Sequence, residues 1–333
     1  MGKIKVAILV NPEIVKKIFS PEDFRLLQQT YQIAQATKGN PEDQAPCLLQ
    51  NAQACVTSWG SPRLEDKLLS GATELKLVVH AAGSVKPFVS QALWQRKIKV
   101  SSAAPVIAIG VAEHALGLML SAMKRTYWLN EKVRRGTWRD VEELEKVREP
   151  YGLTVGIIGL GWAGKCFLKL VKNFEVKILC YDPTLSAEEI TSLGGEKVEK
   201  VEDLLTRSDV ISLHAPSLPE TYHLLNASRL RLIKDGAILI NTARGSLIEE
   251  KALFEELKTG RFTACLDVTD PEPPSPDNPL LSLSNVIFTP HIAGAVKQNL
   301  FRIGRFVLRE LENFFSQRPL LNEVFEEKLK QLA

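Results

Sequence analysis

The sequence runs to 333 residues, enough for two domains of ordinary size and too few for a third large one. Lysine and arginine total 42 against 39 aspartates and glutamates, a net charge of +3, which is too balanced for a nucleic-acid or membrane-surface binder. With 45% hydrophobic and 24% charged residues, the composition is that of a soluble globular protein and excludes a disordered chain.

Short β-branched runs alternate with helical patterns from end to end, the signature of α/β architecture on parallel sheet. The opening Met1-Gly-Lys-Ile-Lys is basic, but the apolar run Val6–Val10 is cut by Asn11-Pro12, so no secretory signal is read and a cytoplasmic protein is expected. Ile4–Val10 reads as a strand, followed by helical patterns at Pro12–Phe19 and Glu22–Gln29. Ala54–Thr57 and Leu75–His80 read as further strands, with a helix near Arg63–Leu69 between them. The small-residue loop Ala81-Ala-Gly-Ser84 then leaves a strand end, where open α/β sheets place ligands. Val106–Met123 is apolar enough to suggest a membrane span, but Glu113 and His114 fall at its middle, where bilayer charge is expensive. It is expected to be a buried helix at a boundary, with His114 a packing or interface residue.

From Thr154 a second strand series begins: Thr154–Ile158, Val176–Tyr181, Val210–Leu213, Ala237–Asn241, Ala264–Val268 and Val286–Phe288. Helical connections lie at Ala163–Asn173, Val201–Thr206 and Glu249–Thr259, and a last helix spans Val296–Phe315. The five cysteines (Cys47, Cys55, Cys166, Cys180, Cys265) are scattered and never in a CxxC pair, so they are expected to be reduced thiols. No pair of His, Cys or Asp has zinc-ligand spacing, and no metal is expected.

Gly159-Leu-Gly161-Trp-Ala-Gly164 follows the strand Thr154–Ile158 and opens a helix, the context a GxGxxG dinucleotide fingerprint requires. The first glycine makes the turn, the second lets backbone approach a pyrophosphate, and the third permits close helix–strand packing. Helix N-terminal N–H groups then face the phosphates. The same residues nearly spell a P-loop, Gly159-x4-Gly164-Lys165, but Cys166 stands where a magnesium-binding hydroxyl is needed. Asp182, ending the next strand, decides for the dinucleotide, because its carboxylate can accept hydrogen bonds from a ribose. It would also repel a 2′-phosphate, favouring NAD over NADP.

Three later segments place a polar group just after an apolar strand. Ile238-Leu-Ile-Asn-Thr-Ala-Arg244-Gly245 ends in an arginine, Ala264–Glu272 in acidic residues, and Val286-Ile-Phe-Thr-Pro-His291 in a histidine. Together they suit hydride transfer to a 2-keto acid: an arginine fork to grip the carboxylate, a histidine to protonate the oxygen, and a carboxylate to hold the imidazole tautomer.

At this point the chain resembles the D-isomer-specific 2-hydroxyacid dehydrogenase family. The resemblance rests on Gly159–Gly164, Leu213-His-Ala-Pro-Ser-Leu-Pro-Glu-Thr221, Asn241-Thr-Ala-Arg-Gly245, Leu266-Asp-Val-Thr-Asp-Pro-Glu-Pro273 and Asn285-Val-Ile-Phe-Thr-Pro-His291. It implies catalytic Arg244, Glu272 and His291. It further implies cofactor contacts at Gly159, Gly161, Trp162, Ala163, Gly164, Asp182, His214, Ala215, Pro216, Thr221, Thr242, Ala243, Asp267 and Gly294. Asp267 is expected at the nicotinamide carboxamide, and Ala82, Gly83 and Ser84 at the substrate carboxylate. The implied fold has two Rossmann-like parallel-sheet domains. Residues 105–295 form an NAD-binding Rossmann domain inserted in a flavodoxin-like substrate domain made of 1–104 and 296–333. A homodimer through Val106–Met123 and the arm Trp128–Trp138 is implied as well. The chain departs from the family at Gly-Ser-Val-Lys-Pro87, where many members have a Gly-hydrophobic-Asp-Asn type of sequence, and at Trp162-Ala163 inside the fingerprint. The expected activity is hydride transfer between NAD(H) and a small 2-keto or D-2-hydroxy acid, in the manner of a glyoxylate or hydroxypyruvate reductase. The alternative is a non-catalytic NAD-sensing protein of the corepressor type.

Overall fold

The computed structural model describes residues 3–37 and 41–331; residues 1–2, 38–40 and 332–333, which fall in stretches assigned above to the substrate domain, lie outside the described residues. The chain divides into two compact units, Met1–Ile107 with Ala295–Ala333, and Ala108–Gly294.

In the first unit, β1 (Lys5–Ile8), β2 (Gln32–Gln35), β3 (Ala54–Thr57), β4 (Leu77–His80) and β5 (Lys99–Ser102) pair in parallel in the order β2-β1-β3-β4-β5, and Glu323–Val324 adds antiparallel to β5. Alternate residues face opposite sides. Val6, Ile8, Val56, Leu77 and Val79 enter one core, while Ala7, Cys55, Val78 and Val100 enter the other. Both faces are therefore covered, as a mostly parallel sheet demands. The amphipathic helix Gln298–Phe315 closes the first face with Ile303, Phe306, Val307 and Leu311. Its fully buried Glu310 accepts hydrogen bonds from Ser101 Oγ on β5 and from the backbone N–H of Leu321 (2.8 Å) and Asn322 (3.1 Å). That satisfied carboxylate ties the returning chain to the sheet.

In the second unit, β6 (Thr154–Ile158), β7 (Lys177–Tyr181), β8 (Glu196–Lys197), β9 (Val210–Leu213), β10 (Ile238–Asn241), β11 (Thr263–Leu266) and β12 (Val286–Phe288) form a wholly parallel sheet in the order β12-β11-β10-β9-β6-β7-β8. The order reverses between β6 and β9, the topological switch point where ligands bind beyond the carboxyl ends of the strands. Again alternate residues split between two cores: Val155, Ile157, Ile238 and Ile240 on one face, Ile158, Leu213, Leu239 and Leu266 on the other. The fold is thus the expected α/β pair of parallel sheets.

The helix Ala104–Met123 is long and apolar enough to cross a membrane by length and composition, the one such helix among the described residues. Ala112, Ala115, Leu118, Met119, Ala122 and Met123 pack into the second unit's core. The helix expected at Arg63–Leu69 forms only at Asp66–Leu69. Upstream, the Leu64 N–H donates to the Phe88 carbonyl at 2.9 Å, which keeps that stretch extended. Four strands, β2, β5, β8 and Glu323–Val324, were not expected from the sequence; all are short and carry polar residues. All five cysteines are free, with Cys55, Cys180 and Cys265 buried and their thiols pushed up to about 12 by desolvation.

Candidate active site

The switch point of the second sheet carries the glycine turn. Gly159 leaves β6 at φ +89°, and a Cβ there would lie 2.6 Å from the Ala215 N and 2.7 Å from its Cα. A Cβ on Gly164 would meet the Gly159 carbonyl oxygen at 2.0 Å, whereas one on Gly161 would meet nothing within 4 Å. The turn is thus closed on its protein side and open at Gly161, the cradle a pyrophosphate needs above the helix Trp162–Val171. Trp162 is 48% exposed at the start of that helix, and Ala163 beside it is half-buried.

Asp182 is buried at the end of β7. Its Oδ2 accepts from the Leu160 N–H (2.7 Å), and its Oδ1 accepts from Thr184 N–H (2.9 Å) and Thr184 Oγ1 (2.6 Å). The carboxylate therefore clamps the glycine turn as well as standing where a ribose acceptor would.

Beyond β9, His214 hydrogen-bonds Ser212 Oγ through Nε2 at 2.9 Å and packs against Phe167. Burial pushes it down to about 3, so it is neutral, and its Nδ1 has no partner. Ala215 is buried against Gly159. The Thr221 hydroxyl bridges the Pro216 carbonyl (2.6 Å) and the Leu218 N–H (2.9 Å), shaping the loop.

Arg244 follows β10 on a turn built by Asn241. The Asn241 side chain accepts from the Ala243 N–H (3.0 Å) and donates to the Arg244 carbonyl (2.9 Å). Sequence reading gave Asn241 no role. Its signal was there: a polar residue held at the buried end of an apolar strand. The next residue, Gly245, touches the loop that carries Glu272, since a Cβ there would sit 2.1 Å from the Thr269 carbonyl carbon and oxygen. The Arg244 guanidinium donates to the Ala243 carbonyl at 2.6 Å, and its pKa is lowered by desolvation while Glu272 pulls it up. Thr242 beside it is buried with an unpartnered hydroxyl.

His291 stands on the turn after β12 at φ +50°, with Nδ1 2.5 Å from Glu272 Oε1. Both side chains are open to solvent, 48% and 40% exposed. With the carboxylate accepting at Nδ1, the Nε2 end is left for exchange with a bound molecule. Asp267 has a side chain wholly out of solvent, with Oδ1 accepting from Thr289 Oγ1 (2.5 Å) and Ile292 N–H (2.9 Å) and Oδ2 from Ala293 N–H (3.0 Å). It thereby folds the 289–293 turn that presents His291, with Gly294 directly after it, a contribution the sequence did not disclose. Arg244, Glu272 and His291 are all brought to the carboxyl edge of one sheet.

Ala82, Gly83 and Ser84 stand on the first unit, past β4. That loop is pinned by Ala81 N–H to the Thr57 carbonyl (2.7 Å) and Ala103 N–H to the Ala82 carbonyl (3.0 Å). His80 beneath it bonds Thr57 Oγ1 through Nδ1 at 2.9 Å, and burial pushes it down to about 4.

The family model for the D-isomer specific 2-hydroxyacid dehydrogenase, NAD binding domain, matches residues 116–293. A D-3-phosphoglycerate dehydrogenase of Archaeoglobus fulgidus is 37% identical over 265 residues, 79% of this chain but 49% of the relative, so the chain spans about half that protein's length. A glyoxylate reductase of Korarchaeum cryptofilum is 32% identical over 282 residues, covering 82% of this chain and 85% of the relative. Among solved structures, a phosphoglycerate oxidoreductase from Rhizobium etli superposes with a TM-score of 0.85 at 25% identity, over 97% of this chain and 99% of that one.

Proposed function

The chain belongs to the D-isomer specific 2-hydroxyacid dehydrogenase family, and on that premise we propose that it interconverts a small 2-keto acid and its D-2-hydroxy acid with NAD(H). The observation that carries the reading is the 2.5 Å pair of His291 Nδ1 and Glu272 Oε1, with Arg244 close enough to feel the same carboxylate. In the reducing direction, Arg244 grips the substrate carboxylate and polarises the carbonyl through charge-assisted hydrogen bonds. His291 gives its Nε2 proton to the carbonyl oxygen as that oxygen becomes an alcohol, and Glu272 stabilises the imidazolium from which the proton leaves. NADH seated along the Gly159–Gly164 turn would supply the hydride to the carbonyl carbon. Ala82, Gly83 and Ser84 are proposed as substrate contacts, on the family resemblance.

Asp182 supports NAD over NADP, since a buried carboxylate beside a 2′-phosphate would place like charges together. A substrate of glyoxylate or hydroxypyruvate size is supported by the match to a glyoxylate reductase over most of its length. The corepressor-type alternative finds no support among these relatives. A homodimer through the arm Trp128–Trp138 is supported by its exposed apolar side chains, Trp138 being 80% and Val133 41% exposed. Light scattering tests it.

A screen of 2-keto acids with NADH and NADPH tests the activity, and His291→Ala should abolish turnover while NADH binding stays nearly intact. NADH binding without oxidation by any keto acid would return the protein to a sensing role.

A further inference from the structure

A polar chain runs inward from the His291 turn to a residue that the proposed reaction leaves unused. His114, on the helix Ala104–Met123, places Nε2 3.1 Å from Thr289 Oγ1 and 3.7 Å from Asp267 Oδ1. The Thr289 hydroxyl has one hydrogen, and its 2.5 Å contact with the acceptor-only Asp267 carboxylate uses it. The hydroxyl oxygen must therefore accept from His114, which assigns the hydrogen to Nε2 by the logic of the network. Asp267 in turn holds the N–H groups of Ile292 and Ala293, so the chain ends on both sides of His291.

The turn needs that support. His291 sits at φ +50°, a left-handed conformation that a non-glycine residue keeps only where its surroundings over-determine it. The backbone contributes Thr289 N–H to the Leu266 carbonyl (3.0 Å) and His291 N–H to the Asp267 carbonyl (2.9 Å). The side-chain bonds on Asp267 supply the rest, and His114 fixes the hydroxyl that completes them.

We propose that His114 is a positioning residue for His291, its Nε2–H holding the Thr289 hydroxyl on Asp267 so that the 289–293 turn presents the imidazole in one orientation. The proposal rests on the proton-donor role given to His291 above, and its test separates the two. Three variants serve: His114→Leu removes the donor at similar volume, His114→Gln returns an N–H near the Nε2 position, and Thr289→Val removes the hydroxyl from the other side. His114→Leu and Thr289→Val are each expected to lower kcat by about tenfold while KM for the keto acid and Kd for NADH stay within about twofold, and the double variant to be no worse than either. His114→Gln is expected to recover kcat to within about threefold of the parent. In parallel, the His291 ring signals in nitrogen–proton correlation spectra, assigned with His291→Ala, should shift in His114→Leu and return in His114→Gln.

Wild-type kcat and unmoved His291 signals in His114→Leu overturn the proposal. So does a His114→Gln variant that keeps the parent's Tm yet is no better than His114→Leu, because packing alone would then account for the residue. If the parent reduces no 2-keto acid, the functional reading fails by itself, and the ring spectra still decide whether His114 positions His291. Should His114→Leu not fold, Thr289→Val against His114→Gln carries the same comparison.

Discussion

Gly245→Ala is the smallest change that should separate Arg244 from Glu272. The added Cβ would lie 2.1 Å from the Thr269 carbonyl carbon and oxygen and 2.6 Å from the Asp270 N, all backbone atoms that no rotamer can move aside. Ordinary contact begins near 3.4 Å, so the two loops must part by about 1.3 Å (3.4 − 2.1). Overpacking of this kind costs about 1–3 kcal/mol of stability, which a folded chain of this size can absorb. Catalysis is more sensitive: displacing a catalytic group by about 1 Å costs on the order of a hundredfold, or about 2.7 kcal/mol of transition-state stabilisation. The expected result is kcat/KM for the keto acid down by about that factor, with NADH affinity falling far less, because the turn at Gly159 is not touched although Thr242, Ala243 and Asp267 lie on the parted loops. Steady-state kinetics, a fluorescence titration with NADH and a melting curve read the three quantities. A folded Gly245→Ala protein with parental kcat/KM would refute the claim that close approach of these loops assembles the site.

Asp182→Ala removes the acceptor for Leu160 N–H, Thr184 N–H and Thr184 Oγ1, leaving the buried Leu160 donor unsatisfied at about 1–3 kcal/mol. NADH affinity should fall by about tenfold or more and the disadvantage of NADPH should shrink; an unchanged NADH to NADPH ratio in titrations would count against Asp182 as the discriminating group. Acid should weaken the fold through two histidines. Unfolded imidazoles titrate near 6.5, whereas burial holds His80 at about 4 and His214 at about 3, so the unfolded chain binds more protons in between. Their contribution is complete above 6.5 and falls as pH drops toward about 4 for His80 and about 3 for His214, with a slope approaching about 1.4 kcal/mol per pH unit for each. Urea midpoints measured from pH 7 to pH 5 should decline, and a flat series would contradict the neutral, buried state of both rings. In the native protein, exposed Cys47 should alkylate readily while Cys55, Cys180 and Cys265 react only on unfolding. Peptide mass mapping after a brief thiol label checks this.

Local pattern alone disclosed the parts of this protein whose chemistry is local. The run Thr154–Ile158 followed by Gly159-Leu-Gly-Trp-Ala-Gly164 announces a strand, a tight turn and a helix N-terminus, because each glycine answers a steric demand within a few residues of itself. Arg244 and His291 were legible as polar groups after apolar strands, and Glu272 as one of several acids after another, singled out by the family resemblance; parallel sheet connectivity sends those ends to one edge. The strands β2 and β5 were not legible: Gln32–Gln35 is a polar edge strand and Lys99–Ser102 has few apolar residues, so their pairing comes from neighbours supplied by the fold. Asp267 was expected only at the nicotinamide carboxamide, on the family resemblance, and His114 as a packing or interface residue. What they do depends on Thr289, which lies 22 residues from the first and 175 from the second. A hydrogen-bond network among such distant residues leaves no period or spacing in the chain, and only tertiary packing decides which donor meets which acceptor.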